Sequence, residues 1–109
     1  MHILLTGASR GIGRGFAETV LEQGASLSVC ARTPHSLDTL AAKGAHAHVL
    51  DVTDATAVQR WVTAAVAQHG PIDAVVNNAA LLGPKATVAD YSIDAWRQVM
   101  DVNVDGPFL

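Results

Sequence analysis

Disulfide chemistry is excluded first, because the 109-residue chain contains a single cysteine, Cys30. One thiol cannot form an intrachain bridge. Cys30 sits inside the apolar run Leu27 to Ala31, where a small buried strand side chain is the expected role and only Arg32 offers the positive charge a reactive thiol needs. A basic excess is also missing: seven Lys and Arg stand against ten Asp and Glu, for a net charge of −3. Without a cationic stripe, nucleic acid is a poor partner. No apolar run reaches the roughly 18 to 20 residues of a membrane span, and the start of the chain lacks the basic segment and cleavage site of a leader. A soluble, cytoplasmic protein with no membrane partner is the expectation. Linkers, repeats and low-complexity tracts are absent too, which leaves one compact domain over residues 1–109.

What is present is an alternation of short apolar runs and helix-period segments. Ile3 to Thr6 reads as a strand, and the helix that starts near Ile12 and runs over Arg14 to Gln23 is stopped by Gly24. Leu27 to Ala31 is a second strand. Thr33 as N-cap with Pro34 in the first turn predicts a short helix to Lys43, ended by Gly44. Ala45 to Leu50 is a third strand, and Asp54 caps a helix to His69 whose Val58, Trp61, Val62, Ala65 and Val66 share helical spacing. Gly70-Pro71 stops it, and Ile72 to Asn77 is a fourth strand. After a loop from Ala80 to Tyr91, Ser92 caps a last helix with Trp96, Val99, Met100 and Asn103 on one face, and Gly106-Pro107 follows. Strand–helix alternation with short connections predicts an α/β fold, a Rossmann-type doubly wound parallel sheet in the order 3-2-1-4.

The first connection carries the chemistry. Between the first strand and its helix lie Gly7, Gly11 and Gly13. A chain that turns from strand to helix against a pyrophosphate needs positive φ, close backbone approach and tight helix packing, and glycine supplies all three. The helix start adds unpaired N–H groups and the positive end of its dipole. Glycines alone are a weak signal, since they also serve ordinary turns, but the strand-turn-helix setting strengthens it.

The segment Thr6-Gly7-Ala8-Ser9-Arg10-Gly11-Ile12-Gly13 resembles the TGxxxGxG fingerprint of the short-chain dehydrogenase/reductase family. Three later segments resemble further motifs of that family: Asp51-Val52 its adenine-contacting pair, Asn77-Asn78-Ala79-Ala80 its NNAG segment with alanine in place of glycine, and Asn103 the asparagine of its catalytic tetrad. The resemblance implies that Gly7, Gly11, Ile12 and Gly13 line the pyrophosphate while Thr6 and Ser9 fix the turn. It further implies that Asp51, beside Val52, accepts from the adenine amino group, that Asn78, Ala79 and Ala80 pass near the nicotinamide ribose, and that Asn103 interrupts regular helical bonding to hold a proton-relaying water. Asn77 is expected to tie neighbouring strands together.

Cofactor choice is read at the end of the second strand. An acidic residue there favours the free ribose hydroxyls, whereas this chain has Ala31 and Arg32. A guanidinium at Arg32 and another at Arg10 suit a 2′-phosphate, so NADP is the expected cofactor, with NAD less favoured.

The remaining tetrad members, a serine and a YxxxK pair, are not found: the sole tyrosine, Tyr91, has Ala95 four residues on, and Lys43 and Lys85 are the only lysines. Relative to the family the domain is therefore expected to be incomplete at its C-terminal side. The function implied is the cofactor-binding half of an NADP(H)-dependent oxidoreductase acting on a small carbonyl or alcohol; the alternative is a non-catalytic nucleotide-binding module. An unpaired fourth-strand edge around Val75 and Val76 predicts self-association or a homo-oligomer. Among the histidines, His46 and His48 share a strand face, where an edge of polar side chains is favoured over a metal site for want of a third ligand, and His2, His35 and His69 are expected to be solvated. Gly15 is unfavourable within a helix and suggests close helix packing.

Overall fold

The computed structural model describes all 109 residues. Four strands, β1 (His2–Thr6), β2 (Ser26–Ala31), β3 (His46–Val49) and β4 (Ala74–Val76), form a parallel sheet in the order β3-β2-β1-β4. Helices α1 (Gly11–Glu22), α2 (Asp38–Ala42) and α3 (Ala55–His69) make the crossovers. The chain closes with α4 (Ile93–Met100), a π turn over Asp101–Asp105 and the short α5 (Gly106–Phe108). The expected Rossmann-type order is the observed one.

Strand alternation assigns the two faces. Ile3, Leu5, Leu27 and Val29 point to one side, where Ala17 and Val20 of α1 and Leu37 and Leu40 pack on them. Leu4 and Cys30 point to the other, against Val58, Trp61 and Ala65 of α3. Covering both faces with helices is what lets Ile3, Leu4 and Leu5 run as a continuous apolar stretch in β1. Asp54 caps α3 by accepting the Ala57 N–H at 3.0 Å, and Ser92 caps α4 through the Ala95 N–H at 3.1 Å, as expected. No helix is long and apolar enough to cross a membrane.

Several expectations fail for local reasons. The helix expected from Thr33 begins only at Asp38. His35 adopts φ +64°, and the Ser36 hydroxyl donates to the Thr33 carbonyl at 2.6 Å, so residues 33–36 close a turn instead of starting a helix. β4 is three residues long, not six, and it pairs only with β1. Gly106-Pro107 opens the short α5, where a proline at the first or second position loses no needed N–H. A Cβ at Gly15 would meet nothing within 4 Å, so that glycine permits no close packing. α4 has no buried residue, and Trp96 is half exposed.

The core is tight enough to predict its sensitivity. Leu5 is fully buried in the central strand, so Leu5→Ala should lower stability by about 2–5 kcal/mol in urea unfolding.

Candidate functional site

The carboxyl ends of β1, β2, β3 and β4 meet at one edge of the sheet, where open α/β sheets bind ligands. There the chain leaves β1 through Gly7 at φ +70° and Gly11 at φ +58°. Only glycine adopts these angles without strain. Gly13, with ordinary φ, is required for a different reason: a Cβ on it would collide with the Asn78 amide and the Gly7 carbonyl. The Gly7 and Ala8 N–H groups donate to the Cys30 carbonyl at 3.0 and 3.2 Å, which fastens the turn to β2.

A second fastening ties the turn to the end of β4. Thr6, 8% exposed, accepts the N–H groups of Asn78 and Ala79 on its hydroxyl at 3.1 and 3.0 Å. The Asn78 side-chain amide in return donates to the carbonyls of Thr6 and Gly7 at 3.1 and 2.9 Å. Two expectations are thereby corrected. Asn78, not the exposed Asn77, ties the strands together, and Thr6 bonds across the sheet rather than within its own turn. Consecutive residues face opposite ways in extended chain, so the inward place falls to one asparagine alone.

The start of α1 is left open. Arg10 occupies the N-cap position with extended backbone and no side-chain bond to the helix, and the first turn carries no acidic residue. The N–H groups of Gly11, Ile12 and Gly13 therefore have no partner within the helix. Ile12, 86% exposed, contributes its backbone and no core packing.

These elements border a cavity of about 530 Å³. It is lined by Gly7, Ser9, Arg10, Gly11 and Ile12 of the turn, Arg32 after β2, Asp51 and Val52 after β3, and Asn78, Ala79 and Ala80 after β4. Eleven of the thirteen residues expected at a cofactor thus share one wall, while Thr6 and Gly13 lie behind it as supports. Cys30, Ala31, Thr33, Leu50, Leu81 and Val102 also line it and escaped the sequence reading. Their common signal is position: each lies at or just past the end of a strand, except Val102, which the π turn brings in.

The electrostatics divide the cavity. Arg10 and Arg32 are exposed, and neither has a carboxylate partner; the ion pairs of the chain involve Arg14, Lys43 and His35. Asp51 is held below the usual carboxylate value of 3.8, first by the Thr53 backbone N–H, then by the Thr53 hydroxyl, with Arg32 nearby as a smaller influence. Both Thr53 bonds fall on Oδ1, at 2.9 and 2.8 Å. Burial pushes the Cys30 thiol up to about 12, so it stays neutral and is no nucleophile.

Asn103 does not line the cavity. Its Oδ1 accepts the Leu81 N–H at 2.8 Å and its Nδ2 donates to the Leu81 carbonyl at 2.9 Å. The side chain is thus committed to holding the loop after β4, and the neighbouring Val102 and Leu81 supply cavity wall. The π turn over Asp101–Asp105 interrupts regular helical bonding around Asn103.

Comparison with known proteins adds an independent observation. The family model described as short chain dehydrogenase matches residues 1–109. The chain is 37% identical over 117 residues to the short chain dehydrogenase tazN of Aspergillus terreus, an alignment spanning 98% of this chain and 25% of that protein. Among solved structures, a 3-ketoacyl-(acyl-carrier-protein) reductase from Brucella melitensis complexed with NADH is 27% identical with a TM-score of 0.93, covering 99% of this chain and 46% of the other. A metagenomic short-chain oxidoreductase in complex with NADP is 29% identical with a TM-score of 0.89, covering 99% and 52%. The chain thus spans about a quarter to a half of the length of these relatives.

The clamp between Thr6 and Asn78 makes a direct prediction. Thr6→Val removes the acceptor of two partly buried N–H groups and should cost about 1–3 kcal/mol in urea unfolding, whereas Thr6→Ser should restore most of the loss.

Proposed function

The chain belongs to the short-chain dehydrogenase/reductase family, and we propose that its 109 residues form the dinucleotide-binding part of an NADP(H)-dependent cytoplasmic oxidoreductase. The observation that carries this reading is the single cavity wall on which a free helix N-terminus, two unpaired arginines and the ends of all four strands converge. Its volume suits a bound organic ligand, and its donors suit phosphate.

Each residue then has a task. The N–H groups of Gly11, Ile12 and Gly13 receive the pyrophosphate, with Gly7 and Ser9 completing the turn. Arg10 and Arg32 flank the position of a 2′-phosphate, and no acidic residue stands at the end of β2 to repel it. Asp51 retains Oδ2, free of the Thr53 bonds, as an acceptor for the adenine amino group beside Leu50 and Val52. Ala79 and Ala80 present small surfaces toward the nicotinamide ribose. A bound dinucleotide would supply hydride exchange with a small carbonyl or alcohol. Asn103 acts as a positioning residue through its clamp on Leu81.

The Tyr-x-x-x-Lys pair does not fall within residues 1–109, so these residues are assigned cofactor binding and not the proton transfer. Titration separates cofactor from catalysis. NADPH should bind more tightly than NADH, and Arg32→Ala should reduce that preference by about tenfold, the loss of one exposed charge-assisted contact. Equal affinities for the two cofactors would overturn the assignment.

The same reading includes self-association along β4, whose outer edge is unpaired and whose Val75 is 55% exposed. Sedimentation should show concentration-dependent growth that Val75→Lys suppresses. A monodisperse monomer at high concentration would refute it.

A further inference from the structure

Away from the cavity, at the opposite end of the sheet, four of the five histidines gather. His2 begins β1, His46 begins β3 with His48 two residues on, and His69 ends α3. The rings meet edge to face in an unbroken series. His48 lies 4.5 Å from His46, His46 lies 6.0 Å from His69, and His69 lies 5.2 Å from His2, measured between ring centroids. The expectation that His2 and His69 are solvated is therefore corrected: His2 is 2% exposed, and His69 is half-buried.

Hydrogen bonding fixes the state of one ring and leaves the others unsupported. His2 Nδ1 lies 2.9 Å from the Gly70 carbonyl, which only accepts, so that nitrogen carries a proton. His2 Nε2 lies 3.0 Å from the Ser28 hydroxyl, which sits fully buried on β2. By contrast, His46 Nδ1, His48 Nδ1 and His69 Nε2 are buried atoms without a partner. No three ligand-type side chains are arranged to hold a metal ion there.

We propose that His46 and His69, packed in series with His48 and His2, form an acid-sensitive latch joining the end of α3 to the starts of β1 and β3, closed when those two rings are neutral and loosened when they charge. A second proton on His46 or His69 would place a positive charge within 4.5 to 6.0 Å of its neighbouring rings and leave a buried N–H without an acceptor. The surroundings offer little compensation. β2 contributes only the uncharged Ser28, and the turn after α3 contributes the Gly70 carbonyl, already engaged. The Asp73 carboxylate accepts the His2 backbone N–H at 2.7 Å.

The direction of the pH effect follows. Burial, and after it the neighbouring rings, holds His46 below the usual imidazole value of 6.5; burial and then His2 do the same for His69. Folded-state values below the unfolded one mean that the unfolded chain takes up more protons as pH falls through 6.5. Stability present above 6.5 is lost as pH falls through the lower folded values.

Urea unfolding of the 109-residue chain as a function of pH tests this. A histidine that charges only on unfolding raises the unfolding constant by at most about tenfold per pH unit, so His46 and His69 together set a ceiling of about a hundredfold per unit, approached between their folded and unfolded values. The double variant H46Q/H69Q should flatten that dependence. Retention of the wild-type slope in the variant would overturn the proposal. If the double variant fails to fold, ring-proton NMR titration of the wild-type chain decides. Midpoints for His46 and His69 below 6.5 are expected, and midpoints at or above it would overturn the latch.

Discussion

The reciprocal clamp between Thr6 and Asn78 is the interaction on which the site depends. Four hydrogen bonds join the last residue of β1 and the following glycine to the chain just after β4. Each contributes about 1 kcal/mol net when made and costs more when one partner is lost. Their geometric effect is larger than their energetic one. The clamp exists only because β4 lies beside β1 in parallel, and it holds the glycine turn at a fixed distance from the loop that follows β4. Gly7 and Gly13 lack side chains because Asn78 and Ala79 occupy the space a Cβ would fill. Glycine spacing and the asparagine are two halves of one packing constraint.

With the turn held in that way, the backbone and the side chains divide the work. The backbone presents unpaired N–H groups at the start of α1, which no acidic residue in the first turn competes for. Among the side chains on the same wall, Arg10 and Arg32 stand exposed without carboxylate partners. The one carboxylate on the wall, Asp51, is steadied by Thr53 rather than drawn into an ion pair with them. The chain's only three ion pairs lie outside this wall.

The sheet also has a polarity of purpose from one end to the other. β3 begins among the histidines at His46 and leads into Leu50, Asp51 and Val52 of the cavity wall. β1 begins with the buried His2 and ends at Thr6. The carboxyl ends carry fixed dipoles and arginines. The amino ends carry four histidine rings, three of which hold one buried nitrogen without a partner. Parallel strands make this separation possible, because every strand start falls on one side and every strand end on the other.

The sequence by itself determined the alternation of elements, the order of the sheet and most of the cavity wall. Those features are encoded locally: apolar runs of strand length, caps at Asp54 and Ser92, and glycines at fixed spacing act within a few residues of themselves. Local rules also misled where a neighbour could outcompete them, as when Ser36 and the left-handed His35 closed a turn at Thr33 that capping statistics favoured for a helix. Only the tertiary structure decided which of two adjacent asparagines faced inward, that Asn103 would be committed to Leu81, and that His2 and His69 would meet. Each of these depends on residues more than 20 positions apart. Burial and partners at such distances are properties of the assembled sheet and its helices, and no pattern within a short window of sequence carries them.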